Sequence, residues 1–482
     1  MSTHETRTKP SSGTATDRFA PFERKMLDAA LDPLVIDAFR IQYERLVAGA
    51  TGLIGTSMIR PVEDLPDADT LTPDDVAAGH AALPHVAVIK LNGGLGTSMG
   101  LERAKSLIEV RDDRSFLDIT ALQLERLSAR TGVRVPLVLM NSFSTRSDSL
   151  AALARYGGAR SHTLPADFMQ HMVPKVLCET LEPAVWPAQP ALEWCPPGHG
   201  DMYTALVTSG LLAELRRGGF HHIFVSNADN LGAVLDPAIL GHIVRRGIPF
   251  LMEVADRTIA DRKGGHLARS SDGTNLLLRE SAQCPPDEAD DFQNIERHRS
   301  FNTNSIWIEL AALDTQLARH GGVLPLPLIR NVKTLDPRDP ASPAVYQLET
   351  AMGAAIALFD GAAALRVPRV RFAPVKTSDD LLALWSDACI LDPDGRVRLD
   401  PSRSQPPAIT LDPRYFRMID DLHARLPFGA PSLIACERLE VMGDVVFGRN
   451  IVVRGSVRIA ATEGKRLVIA DNTVLDNEDL RA

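Results

Sequence analysis

From about residue 23 to 60 apolar residues recur every three to four positions, as in FERKMLDAALDPLVIDAFRIQYERL, and predict helices. A Pro- and Asp-rich connection follows at 61–83. The pattern then changes. Short continuous apolar runs, 85-HVAVIKL-91, 136-PLVLMNS-142, 222-HIFVSNADN-230 and 248-IPFLMEVAD-256, read as buried strands. Helical periodicity separates them at 147–156 and 205–217, and 115-SFLDITALQLERLSART-131 opens on a capping-box pattern, Ser115 with Asp118. Strands alternating with helices predict a parallel α/β sheet whose ligand site lies beyond the carboxyl ends of the strands. Each of these runs ends in polar residues, so the site is expected there.

The C-terminal region has another rhythm. From 439 it divides into sixes, LEVMGD, VVFGRN, IVVRGS, VRIAAT, and after a short insertion LVIADN and TVLDNE. A six-residue apolar repeat with turn residues between predicts a left-handed β-helix; a plain antiparallel meander is the alternative. The ends of a β-helix need covering, which makes this region a candidate for homo-oligomer formation. The expected division is a disordered tail over 1–22, a main domain with N-terminal helices over 23–400, and the β-helix over 401–482.

The net charge of −9 on 482 residues argues against a nucleic-acid binder, though a local basic pocket is compatible with it. The five cysteines are scattered without a CxxC, which disfavours a zinc site or disulfide framework and suits a reducing cytoplasm. No apolar run reaches membrane-spanning length. Only nine of the 52 basic residues are lysine, leaving 43 arginines. A lysine retained in a Gly-rich or polar loop, such as Lys105, Lys263 or Lys376, then marks a need for a compact ammonium.

Four segments carry chemistry. NGGLGTSMG (92–100), with Lys105-Ser106 beyond it, resembles a phosphate loop but fits neither common pattern. A Walker loop needs Gly directly before Lys-Ser, and a dinucleotide fingerprint needs an acidic residue after the next strand, where Asn141-Ser142 stand. Its backbone N–H groups still suit a phosphate or a base edge. His199, between Gly198 and Gly200, is either a neutral turn residue or a donor to a phosphate or sugar oxygen. Asn227, Asp229 and Asn230 at a strand end form a magnesium seat if substrate phosphates complete it, or else a helix-capping turn. RKGGHL (262–267), FNTNSIW (301–307) and PVKTSDDLL (374–382) read as polar, loop-like insertions.

In order along the chain, KLNGGLGTSMG, PLVLMNSFSTRSD, PPGHGD, VSNADNLGAVLD, KGGHL, FNTNSIW, QLETAMGAAI, VPRVRFAPVKTSDDLL and GDVVFG resemble the eukaryotic-type UTP–glucose-1-phosphate uridylyltransferases. The resemblance implies a Rossmann-like, GT-A-like nucleotidyltransferase with a mixed sheet and a C-terminal left-handed β-helix. It implies Mg²⁺-dependent uridylyl transfer from UTP to glucose 1-phosphate. It assigns Leu91, Asn92, Gly93, Gly94, Gln170 and Gly198 to the uridine end, and Lys105 and Lys376 to the phosphates as catalytic cations. Asp229 would hold the metal and UTP, while His199, Asn227, Ala228, Lys263, Asn302 and Asn304 would meet the sugar phosphate. One departure is that Arg103-Ala104 stands where many members have Gly-Pro, so a helix is expected to start earlier there. Galactose or N-acetylglucosamine 1-phosphate is the alternative acceptor. A silent nucleotide-binding scaffold and a dehydrogenase are the alternatives of other classes.

Overall fold

The computed structural model describes residues 15–96, 99–101, 103–156 and 163–481. It opens with two helices, α1 (Ala15–Asp28) and α2 (Pro33–Val47). The expected tail is therefore too long: from Ala15 the chain is helical, because Phe19 and Phe22 pack with Met26, Phe39 and Tyr43 in one aromatic cluster. Residues 1–14 lie outside the described residues. The helical run is also shorter than its periodicity suggested. It ends after Val47, where Gly49 and Gly52 take positive φ. Asp32 caps α2 by accepting from Leu34 N–H at 2.8 Å, with Pro33 at the first helical position.

A helix α3 (Pro73–Ala82) crosses the later helix Pro237–Arg246 at glycines on both sides. A Cβ on Gly79 would lie 1.6 Å from the Pro237 carbonyl oxygen, and one on Gly241 would lie 1.7 Å from that of Asp75. Neither helix can yield without moving backbone, so Gly241→Val is expected to cost about 3 kcal/mol or more of stability. Chemical denaturation of the variant checks this.

Among the described residues the central sheet has ten strands. Its middle is parallel: β1 (Val86–Asn92), β2 (Leu137–Asn141), β3 (Asp167–Met169) and β4 (His222–Asn227), in the order β4-β1-β2-β3. The helix α4 (Phe116–Thr131) carries the expected capping box of Ser115 and Asp118 and stops at Gly132 in the left-handed conformation. The sheet is mixed because β5 (Phe250–Asp256) does not pair with β4. Between them runs a long antiparallel strand, β6 (Ser300–Glu309), paired to both. FNTNSIW is thus central strand rather than loop: Trp307 is fully buried and its neighbours alternate across the sheet. Likewise His266–Ser270 is a strand and Ser378–Trp385 a helix.

The hexad pattern holds in space. Leu439, Val445, Ile451 and Val457, and Val441, Phe447, Val453 and Ile459, are all at most 2 % exposed. Strands Ser432–Met442, Asp444–Phe447 and Val452–Ala460 pair in parallel with segments about twenty residues onward, which excludes the meander among the described residues. Asn450, Asn472 and Asn477 turn the corners at positive φ. This core is continuous with Met99, Leu101 and Leu381, so it reaches the glycine loop. Among the described residues no helix is long and apolar enough to cross a membrane.

Candidate active site

The registers Asn92↔Asn141 and Leu91↔Asn227 bring three amide-bearing strand ends to one edge of the sheet. The buried Asn92 amide donates to Asn141 Oδ1 at 2.7 Å and to Ser149 Oγ at 2.8 Å. Its side chain ties strands together, and its contribution to a ligand is backbone. Beyond it the glycine loop folds back on itself. Leu95 bridges Ala104 and Lys105 N–H donates to the Gly94 carbonyl at 3.2 Å. Where a helix was expected there is one short turn, Lys105–Leu107, because Ala104 is held extended by that bridge. The folding-back sets Lys105 beside Gly94.

Together these ends line an open cleft of about 290 Å³, walled by Leu91 to Gly94, Lys105, Ser106, Met140, Gln170, Pro196, His199 and Asn227 to Asp229. Lys105 Nζ donates to Asp229 Oδ2 at 2.7 Å. Gln170 Nε2 donates to the Gly198 carbonyl at 3.2 Å, and its Oε1 lies 2.4 Å from where a Cβ on Gly93 would be. Gly198 has φ +80°, and a Cβ there would meet the Thr350 oxygen at 2.4 Å. Glycine is required at 198, where backbone is met at positive φ, whereas a side chain at 93 would have to displace the Gln170 amide.

His199 is held by its neighbour rather than by charge. Met352 N–H donates to His199 Nδ1 at 2.9 Å, so the ring is neutral with its proton on Nε2, a donor left for a ligand. Burial pulls its pKa down to about 4, and burial beside His221 does the same to His222. Both histidines are depressed in the folded state, so the unfolded chain takes up protons first as pH falls below about 6.5. Stability is therefore expected to drop between pH about 6.5 and 4. Unfolding midpoints measured across that window check it, and a flat profile would contradict it.

A family model described as UTP–glucose-1-phosphate uridylyltransferase matches residues 36–454. The chain belongs to this family. It is 41 % identical over 419 residues to the UTP–glucose-1-phosphate uridylyltransferase of Hordeum vulgare, covering 86 % of this chain and 85 % of that one. With the enzyme of that name from Saccharomyces cerevisiae it shares 41 % identity over 396 residues, covering 82 % and 78 % of the two chains. A point mutant of the UDP-glucose pyrophosphorylase from Leishmania major, solved in complex with UDP-glucose, superposes with a TM-score of 0.88 at 44 % identity, covering 96 % of this chain and 99 % of that one.

In this family member the remaining candidate residues fall in two further places. Asn302 and Asn304 bond each other, Nδ2 to Oδ1 at 2.9 Å, with Asn304 strained at φ +55°. Their group adjoins His199 through Met352-Gly353, since a Cβ on Gly353 would lie 3.4 Å from Asn302 Nδ2. Lys263 and Lys376 are exposed and do not line the cleft. The Lys376 ammonium lies 6.0 Å over the Phe372 ring, and Phe372 meets Phe301 edge-on. Its loop is nevertheless anchored to the Asp229 loop, because buried Asn230 accepts from Ala373 N–H at 3.0 Å and donates to the Arg371 carbonyl at 3.1 Å.

Glu280 and Lys90 stand near the site without a motif of their own, and Ser106 belongs to the Lys105-Ser106 pair. Glu280 abuts Gly265 and bonds Asn302, and burial raises its pKa. The Ser106 hydroxyl lines the cleft, buried and without a hydrogen-bond partner among the described residues. Lys90 lies beneath the cleft: its Nζ donates to Ser226 Oγ at 2.7 Å and to the Ala233 carbonyl at 2.9 Å, which closes the loop bearing Asp229. Burial pulls its pKa down to about 7. The scarcity of lysine could have flagged it, but Lys90 sits inside an apolar strand.

Proposed function

We infer that this chain transfers the uridylyl group of UTP to α-D-glucose 1-phosphate, giving UDP-glucose and pyrophosphate. The observation that carries the reading is the Lys105–Asp229 pair set between the glycine loop and neutral His199. The sugar phosphate oxygen bonds to the α-phosphorus of UTP as the bond from that phosphorus to the pyrophosphate oxygen breaks in line. The nucleophile is ionised at neutral pH, so the protein supplies positioning and charge neutralisation. Gly93, Gly94 and Gly198 with Gln170 would take the uracil and ribose, and His199 Nε2–H a phosphate oxygen. Asn227, Asn302, Asn304 and Glu280 would take the sugar.

Among the described residues no cluster of three metal-ligating side chains occurs. The single cleft carboxylate of Asp229 still fits Mg²⁺, which is commonly bound through one carboxylate plus substrate phosphates and water. Bound there, the ion would neutralise charge on the phosphates. Lys376 would reach the phosphates from its exposed loop, which Asn230 ties to the Asp229 loop. Lys376→Ala is expected to lose on the order of a hundredfold in turnover with the fold intact; near-normal turnover removes it from the mechanism.

The test is a panel of glucose, galactose and N-acetylglucosamine 1-phosphates with UTP, read by coupled pyrophosphate release. Glucose 1-phosphate is expected to be fastest, and no release from any of them would overturn the reading. The parallel coils and buried hexads also support a left-handed β-helix over the C-terminal region. The open ends of such a coil leave unpaired strand edges, which support self-association through this region. A monomeric mass by light scattering would contradict that. Five cysteines free of disulfides suit a reducing cytoplasm.

A further inference from the structure

Behind the Asp229 loop, away from the cleft, lies a second cavity of about 90 Å³. Its floor is the Leu231-Gly232 backbone, its sides are Val234, Val370 and Val397, and its polar wall is Arg371, Arg396 and Arg398. Arg396 and Arg398 come from a hairpin whose strands are Cys389–Leu391 and Val397–Leu399.

The charges facing Arg396 are Arg371, Arg398, Asp236 and Asp392, with Glu253 behind Arg371. By formal count the group is neutral, three guanidiniums to three carboxylates. The hydrogen-bond capacity is not balanced. Glu253 is closed by two bonds from Arg371, both 2.7 Å, and one from Trp307 at 2.9 Å. Asp392 already accepts from the N–H groups of Asp394 and Arg396 and forms an ion pair with Arg398, Nε to Oδ2 at 2.7 Å. Asp236 caps a helix by accepting from Ala238 N–H at 2.9 Å through Oδ1, and its Oδ2 pairs with Arg371 at 3.6 Å. The Arg396 guanidinium, partly buried, makes no hydrogen bond and no ion pair within 4 Å among the described residues. Arg398, its side chain nearly half exposed, faces Asp392 through Nε and leaves both terminal nitrogens free to turn to the cavity mouth. Guanidinium donors without a protein acceptor within hydrogen-bond distance therefore converge on the cavity, and a planar donor fork is matched by an oxyanion.

We propose that this pocket binds one free phosphate ion between the guanidiniums of Arg396 and Arg398, against the backbone of Leu231 and Gly232. The volume suits a single tetrahedral oxyanion and is far below the several hundred Å³ that a nucleotide-sized ligand needs. Burial holds the Arg396 pKa below its ordinary range, and a bound anion offsets that cost. Occupation braces the catalytic loop from behind, because Gln123 Nε2 joins the Leu231 carbonyl at 3.1 Å to the Gly395 carbonyl of the same hairpin at 3.0 Å. Leu231 is two residues from Asp229.

The experiment uses the full chain saturated with UDP-glucose, so that phosphate cannot gain stability through the cleft. Inorganic phosphate is titrated at constant ionic strength while the unfolding midpoint is followed. At ten times half-saturation the parent is expected to gain about 2 °C, and Arg396→Gln and Arg398→Gln to gain nothing. Tungstate soaked into crystals should give an anomalous peak between the two guanidiniums. An equal gain in the parent and in Arg396→Gln, or none in either, overturns the site. An equal gain with phenyl phosphate overturns its assignment to the free ion.

Discussion

Asp229→Ala is expected to lower turnover by roughly a thousandfold while leaving the fold in place. In the cleft Asp229 is the acceptor for Lys105 at 2.7 Å and the carboxylate that fits a metal. Removing it loses both roles, and charged contacts of this kind contribute roughly 1.5–3 kcal/mol each. Two such losses compound to about a thousandfold at the middle of that range. Lys105→Ala removes one contact and should cost less, about a hundredfold. Because both side chains are about one-fifth exposed, the midpoint of unfolding should move little in either variant. Steady-state turnover at saturating UTP and glucose 1-phosphate, beside a thermal melt, gives the answer. Turnover of Asp229→Ala within threefold of the parent would remove Asp229 from the chemistry.

The largest stability effect is expected one layer beneath. Glu253 is fully buried and holds the Arg371 guanidinium through two bonds and the Trp307 indole through a third. Glu253→Ala leaves a buried cation and a buried N–H without partners, and breaking such a pair costs about 3–5 kcal/mol. Urea denaturation checks it, and a loss under 1 kcal/mol would contradict the assignment. The double variant Glu253→Leu with Arg371→Met should recover part of the loss, since it removes the orphaned charge together with its partner. Turnover should stay low in the double variant. Arg371 also donates to the Val234 carbonyl at 3.0 Å, and its own carbonyl accepts from Asn230, so the shape of the Asp229 loop depends on it.

Much of this was legible along the chain because the physics is local. The apolar runs ending at Asn92, Asn141 and Asn227 are strands whose ends meet, because a parallel sheet puts its carboxyl ends on one edge. Ser115 and Asp118 cap a helix because both partners lie within one turn. The hexads bury as they read because each coil repeats the one below it. The same local reading failed where the partner is distant. FNTNSIW looks polar, but Trp307 bonds Glu253, Thr303 bonds the Glu253 carbonyl, and β6 fills the gap between two strands from much earlier in the sequence. The helix expected at Lys105 is replaced by a turn because Ala104 pairs back with Leu95.

The sequence by itself determined the strand ends, the glycines that only a positive φ or a close backbone approach explains, and the residue types gathered at the site. Only the tertiary structure decided which of them meet. It set Lys105 on Asp229, fixed the His199 proton on Nε2 through Met352, left Lys376 outside the cleft lining over Phe372, and put Lys90 under the Asp229 loop. Those outcomes depend on contacts between segments far apart in the chain, whose energies follow distances and burial that no local pattern encodes.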